Sequence, residues 1–120
     1  MKKVLLVDDE PHVTLVLQQF LERSGYIAYT ALNGQLALEV IEQEHPDIVI
    51  TDVQMPKMNG IELCEQIINQ HPQLSRLIII MTSRTDRDIR TWAEQFDSVE
   101  LMEKPLSMRR LVIRLNDYFA

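Results

Sequence analysis

A doubly wound α/β fold is what this sequence predicts, and three observations predict it. Five short apolar runs alternate with stretches of helical periodicity. Several of those runs are apolar at nearly every position, as parallel strands covered on both faces must be. The reactive polar residues gather where the runs end, which is where ligands bind in open parallel sheets.

The strands are expected over residues 3–7, 27–31, 47–51, 76–81 and 98–102. Between them the period changes. Val13, Val16, Leu17, Phe20 and Leu21 fall at i, i+3, i+4, i+7 and i+8, one face of a helix. Ile61, Cys64, Ile67 and Ile68 form a second such stripe, Ile89, Trp92, Ala93 and Phe96 a third, and Met108, Leu111, Val112, Leu115 and Phe119 a fourth. Pro11 suits a first helical turn, and Asn33, Asn59, Thr85 and Ser107 stand where caps are expected. Gly25 follows the first helix as a C-terminal glycine does, and His45-Pro46 and His71-Pro72 read as helix-ending junctions. Right-handed crossovers between five strand–helix units leave a parallel sheet with helices on both faces.

The 120 residues fit one domain, expected over 1–120, and 46% apolar content is enough for a full core. Eighteen acidic residues against twelve basic ones give a net charge of −6, which argues against a direct nucleic-acid surface and against a grip on anionic lipid. Cys64 is the lone cysteine, so no internal disulfide forms and a reducing compartment is the simpler assumption. Asp8 ends the first apolar run after four residues, whereas a signal peptide needs ~7–15. The longest apolar run, 77–81, is far short of the ~20 residues that span a bilayer. A soluble, cytoplasmic protein is expected.

At the strand ends stand Asp8-Asp9-Glu10 after the first, Asp52 after the third, Thr82-Ser83 after the fourth and Glu103-Lys104-Pro105 after the fifth. Carboxylates converging on one rim repel one another unless a cation offsets them. Mg²⁺, a hard ion that takes one or two carboxylates, water and phosphate oxygens, suits such a site. Asp8, Asp9 and Asp52 bring three negative charges; Mg²⁺ and Lys104 bring three positive ones. A carboxylate is a competent covalent acceptor of phosphoryl groups, and the remaining work is positioning and charge neutralisation. Thr82 can donate a hydrogen bond to a phosphoryl oxygen once one is present. Taken singly these residues read as solvated turns, a strand-end hydroxyl and a surface lysine, and Lys104-Pro105 as a trans bond. Their weight lies in arriving together at the ends of correctly ordered strands.

With Val-Asp8-Asp9-Glu, Asp52-Val-Gln-Met-Pro56-Lys-Met-Asn-Gly60, Met-Thr82-Ser and Glu-Lys104-Pro105 in hand, the whole chain resembles the receiver domains of response regulators in two-component signalling. The resemblance implies a flavodoxin-like sheet of order 2-1-3-4-5 with five helices. It implies Asp52 as the phosphoacceptor, becoming 4-aspartylphosphate. Mg²⁺ would be held by Asp8, Asp9, Asp52 and the backbone carbonyl of Gln54. Lys104 would pair with the phosphoryl group, its bond to Pro105 cis, and Thr82 would move toward that group beside the small Ser83. The phosphodonor would be a phosphohistidine on a histidine kinase or phosphotransfer protein that docks around residues 12–20 and the loop after the fifth strand. Output would pass to a downstream effector protein or a fused output domain, and the chain would catalyse only its own phosphorylation and dephosphorylation.

Two departures from the family pattern stand out. Leu101 occupies the position of the usual aromatic switch residue, and Gln95-Phe96-Asp97-Ser98 replaces a Gly-containing turn. Gln54 and Arg84 flank the phosphorylation site, where side-chain identity tunes phosphoryl lifetime in the family. Arg109, Arg110 and Arg114 make a basic patch on the last helix, read chiefly as a solvated face. Three alternatives remain. An aspartate-nucleophile phosphohydrolase would prefer an Asp-x-Asp pair and a cap insertion. A flavin-binding domain would need a phosphate loop in place of Asp8-Asp9-Glu10. A receiver-like docking module would never be phosphorylated.

Overall fold

The computed structural model describes residues 1–55, 58–72, 77–83 and 87–120. Five strands and five helices alternate along the chain: β1 Lys3–Val7, α1 Pro11–Arg23, β2 Ile27–Ala31, α2 Gly34–Glu44, β3 Ile48–Asp52, α3 Gly60–Gln70, β4 Ile78–Thr82, α4 Arg87–Ala93, β5 Val99–Glu103 and α5 Met108–Phe119. All four strand pairings are parallel, and the sheet order is β2-β1-β3-β4-β5, the doubly wound fold that the alternation predicts.

The alternation of side chains along each strand divides the core in two. Val4, Leu6, Ile48, Ile50, Ile79 and Met81 meet Leu17 and Leu21 of α1 and Leu111 and Leu115 of α5. Leu5, Val7, Val49, Ile78 and Ile80 meet Ala37 and Ile41 of α2 and Leu63, Cys64 and Ile67 of α3. The central strands β3 and β4 are buried along their full length. This is why they read as unbroken apolar runs rather than alternating ones.

Three strands lie slightly C-terminal to the positions expected from the sequence: 48–52, 78–82 and 99–103. The expected runs end just before Asp52, Thr82 and Glu103, yet Asp52 pairs with Met81, and Thr82 with Glu103, inside the ladder. Arg76, expected at the head of β4, and the expected cap Thr85 lie outside the described residues. On α1 the buried positions are Thr14, Leu17 and Leu21, while Val16 is exposed. The hydroxyl of Thr14 donates to the carbonyl of Pro11, which lets a threonine take an inward position. α4 ends at Ala93, so Phe96 lies beyond it, its ring 5.3 Å from that of Trp92. Arg114 is not simply solvated: its Nε donates to Glu100 Oε2 at 2.8 Å, joining α5 to the edge strand.

The caps follow the sequence signals. Asn33 accepts from the amide of Leu36, and Ser107 from that of Arg110. Gly25, past the end of α1, has φ +96°, a region that favours glycine. At α3, Asn59 and Glu62 form a reciprocal capping box, with the Glu62 amide donating to Asn59 Oδ1 at 2.8 Å and the Asn59 amide to Glu62 Oε1 at 3.2 Å. Asn59→Ala is therefore expected to cost about 1 kcal/mol in urea denaturation. Adding Glu62→Ala should then cost little more, because the box is already broken. Additive losses would show that the two residues act independently.

Candidate functional site

The strand registers bring four chain segments to one edge. Val7 stands opposite Thr51, Asp52 opposite Met81, and Thr82 opposite Glu103. The residues just after these positions come out level, at the point where the strand order turns from β1 toward β2 on one side and β3 on the other. An open cleft of ≈ 710 Å³ lies there, lined by Asp9, Glu10, Asp52, Gln54, Thr82 and Lys104 among others.

Asp52 is buried at the floor of this cleft, 8% exposed. Lys104 Nζ stands 3.1 Å from Asp52 Oδ2 and 3.8 Å from Asp8 Oδ2, so one ammonium faces two carboxylates. The Lys104 amide donates to the Thr82 carbonyl at 2.7 Å, and its bond to Pro105 is cis. Partial burial opposes the charge on Lys104, but the hydrogen bond to Asp52 and the fields of Asp52, Asp8 and Glu10 hold its pKa above the ordinary value.

Asp8 is nearly completely buried. Its Oδ1 accepts from the Glu10 amide at 3.0 Å, and Oδ2 has no hydrogen-bond partner. Burial pushes its carboxyl above the usual aspartate range. The Glu10 N–H opposes the shift, Asp52 and Asp9 add to it, and Lys104 counters it. A buried carboxylate oxygen with no donor is costly, and its presence fits a cation-binding role. One oxygen each from Asp8, Asp9 and Glu10 lies within 4.8 Å of the others. This hard, all-oxygen donor set suits a small divalent ion such as Mg²⁺.

Backbone hydrogen bonds tie the residues just after β3 to β4 and to the start of α3. Val53 donates to the Met81 carbonyl at 3.2 Å, and the Gly60 amide returns to the Val53 carbonyl at 2.8 Å. A Cβ on Gly60 would lie 2.2 Å from the Asp52 carbonyl oxygen, so only glycine lets α3 start this close to the end of β3. Pro56, Lys57 and Arg84 lie outside the described residues.

Asp8, Asp9, Asp52, Gln54, Thr82, Ser83 and Lys104 are thus on or beside one cleft. Leu101 and Pro105 line a second groove of ≈ 410 Å³ between β5 and α5, and Leu101 also packs against the core cluster that Trp92 and Phe96 cover. Sequence reasoning missed Met55 and Ile89 as lining residues of the cleft. The helical spacing of Ile89 pointed to the core, and nothing in that spacing shows that the α4 stripe runs past the core to the cleft. Glu10 was noted at the strand end but left out of the metal set.

The family model for the response regulator receiver domain matches residues 4–116. Over 114 residues the chain is 38% identical to the alkaline phosphatase synthesis transcriptional regulatory protein PhoP of Bacillus subtilis, covering 95% of this chain and 47% of that protein. The chain thus spans about half the length of this curated relative. Among solved structures it is similar to the Vibrio cholerae chemotaxis protein CheY4, with a TM-score of 0.88 and 28% identity over 98% of each chain. The receiver domain of the Francisella response regulator 1452 has the same TM-score at 25% identity, over 99% of this chain and 97% of that one. The signal receiver domain of a signal transduction histidine kinase from Syntrophus aciditrophicus gives 0.84 at 28% identity, over 98% of this chain and 89% of that one. No described helix is long and apolar enough to cross a membrane.

Proposed function

The chain belongs to the response regulator receiver family of two-component signalling, and on that footing we propose that its phosphoacceptor is Asp52. One observation carries the assignment. Asp52 is the carboxylate at the cleft floor that a lysine ammonium faces at 3.1 Å, and Asp8 Oδ2, which has no hydrogen-bond partner, lies 3.8 Å from the same ammonium.

In this reading the Asp52 carboxylate attacks the phosphorus of a phosphohistidine, and the imidazole leaves as the P–N bond breaks. Lys104 keeps its proton throughout and offsets charge on the phosphoryl oxygens. Asp8, Asp9, Asp52 and the Gln54 carbonyl would hold Mg²⁺, which when bound supplies further charge neutralisation. Glu10 lies close enough to Asp8 and Asp9 to support that site. Thr82, at the end of β4, donates a hydrogen bond from its hydroxyl to a phosphoryl oxygen, and Ser83 beside it leaves room for the movement. Leu101 and Pro105 carry the change toward the β5–α5 groove without an aromatic rotamer exchange.

The chain acts on itself rather than turning over other substrates. Its phosphodonor is a histidine kinase or phosphotransfer protein that docks beside α1 and the loop after β5. Its readout is an effector protein or an output domain joined to the receiver unit, as the half-length match to a transcriptional regulator supports. Its place is the cytoplasm, where donor and Mg²⁺ are both at hand. The adjacent Asp8 and Asp9 do not favour a phosphohydrolase, nor do three acids after β1 favour a flavin phosphate site.

The test is intact-mass measurement after incubation with acetyl phosphate. One phosphoryl adduct is expected with Mg²⁺, and none in Asp52→Asn or in chelator. An adduct that persists in Asp52→Asn sinks the assignment. So does a wild-type protein that takes no adduct and also fails to bind beryllofluoride, which would leave the chain as a docking module.

A further inference from the structure

Among the described residues lining the cleft, Val53, Met55 and Ile89 are apolar, and Ile89 alone comes from α4. We propose that Ile89 is a positioning residue that sets the lifetime of the phosphoryl group by denying water a hydrogen-bonded foothold at the cleft mouth. This rests on the assignment of Asp52 as phosphoacceptor.

The geometry gives the direction of attack. Loss of the phosphoryl group needs a water oxygen to form a bond to phosphorus while the bond from phosphorus to the Asp52 carboxylate oxygen breaks. The bond's electron pair returns to the carboxylate, and both water protons stay on the product, giving free Asp52 and dihydrogen phosphate. The leaving oxygen belongs to a side chain at the cleft floor, 8% exposed. An in-line water must therefore come from the opposite side, which is the open mouth.

The groups lining the cleft differ in what they offer water. Gln54, Asn59 and Ser83 carry polar groups that can hold one. Ile89 offers only a branched hydrocarbon. It is fixed in place because Trp92 and Ala93, three and four residues further along the chain, pack against the core beneath α4. β-branching leaves it few rotamers in a helix, so the apolar wall is stiff. A water there lacks one hydrogen bond that it would have at a polar wall, and the attack is slowed accordingly.

Valine and threonine have nearly the same shape, which makes them the decisive pair. Ile89→Val and Ile89→Thr would be phosphorylated with acetyl phosphate and Mg²⁺, desalted, and followed by intact mass as the adduct decays. The threonine variant is expected to lose its adduct about three to ten times faster than the valine variant, the effect of roughly one hydrogen bond in the transition state. Both should acquire the adduct at the wild-type rate, and the exposed control Thr91→Ala should decay like wild type. Equal decay in the valine and threonine variants overturns the proposal. So does acceleration in Thr91→Ala, which would mean that α4 as a whole sets the rate, or a threonine variant slowed in forming its adduct, which would mean general damage. A wild-type chain without any adduct fails the Asp52 assignment instead, and the inference falls with it.

Discussion

Replacing Gly60 with alanine is expected to destabilise the protein by about 3 kcal/mol, far more than a glycine-to-alanine change at a helix start otherwise costs. The added methyl would sit 2.2 Å from the Asp52 carbonyl oxygen and 3.1 Å from both Asp52 C and Val53 Cα. All three are backbone atoms, two of them in the last residue of a strand buried along its length and the third in the residue that follows. No side-chain rotation relieves the overlap, so either α3 moves away or the end of β3 does. The first weakens the Gly60–Val53 hydrogen bond and the capping box at Asn59. The second displaces the Asp52 carboxylate from Lys104. Gly25→Ala is the natural comparison. Its φ of +96° is unfavourable for alanine, but nothing lies within 4 Å of the new methyl, so a loss of about 1 kcal/mol is expected. Urea midpoints of the two variants would separate the effects. A Gly60→Ala protein no less stable than Gly25→Ala would mean that β3 and α3 do not approach as closely as the structure has them.

The fold was legible because each strand and helix carries its own period. β3 and β4 could be found from Ile48-Val49-Ile50 and Ile78-Ile79-Ile80 without knowing what covers them, since a strand buried on both faces has no polar side to show. Their ends were less legible. Asp52 and Thr82 are the polar residues at which a run stops by composition, yet both pair in the ladder. The candidate site could be placed because strand order and register bring chain ends together, so Asp8, Asp52, Thr82 and Lys104 needed only their places in sequence. What could not be read is anything that depends on which way a helix face turns. Ile89 and Trp92 share a stripe, yet one lines the cleft and the other covers the core. Val16 fits the apolar period of α1 and is exposed, while Thr14 is inside. Arg114 looked like one of three surface cations until β5 brought Glu100 beneath it.

Asp8→Asn is expected to change stability in opposite directions according to whether Mg²⁺ is present, and the argument turns on the same orphaned oxygen. Asp8 is almost fully buried, and Oδ2 has no donor. Burial raises its carboxyl above the ordinary value of 3.8, against the Glu10 N–H and Lys104 and with the help of Asp52 and Asp9. A folded-state pKa above the unfolded one means that the folded chain holds this proton more tightly. The stability that Asp8 contributes is therefore fully present below pH 3.8 and is lost as pH rises through the raised value. Above the raised value the wild type carries that loss in full unless a cation offsets it. Asparagine keeps an oxygen to accept from the Glu10 amide and removes the charge. In chelator and above that raised value the variant should be more stable than wild type by on the order of 1 kcal/mol, as when a poorly compensated buried charge is removed, and this advantage should shrink as pH falls toward 3.8. With Mg²⁺ at ten times its dissociation constant the wild type should gain about 1.4 kcal/mol by mass action, and the variant little or nothing. Thermal melts across pH, with and without the ion, read both effects. A variant less stable than wild type in chelator, or one that Mg²⁺ stabilises equally, would mean that Lys104 alone satisfies Asp8 and that the ion sits elsewhere. Lys104 stays charged across this range because Asp52 and Asp8 hold its pKa up. The reversal of sign therefore belongs to Asp8, and it ties a buried oxygen with no hydrogen-bond donor to the chemistry proposed for the cleft.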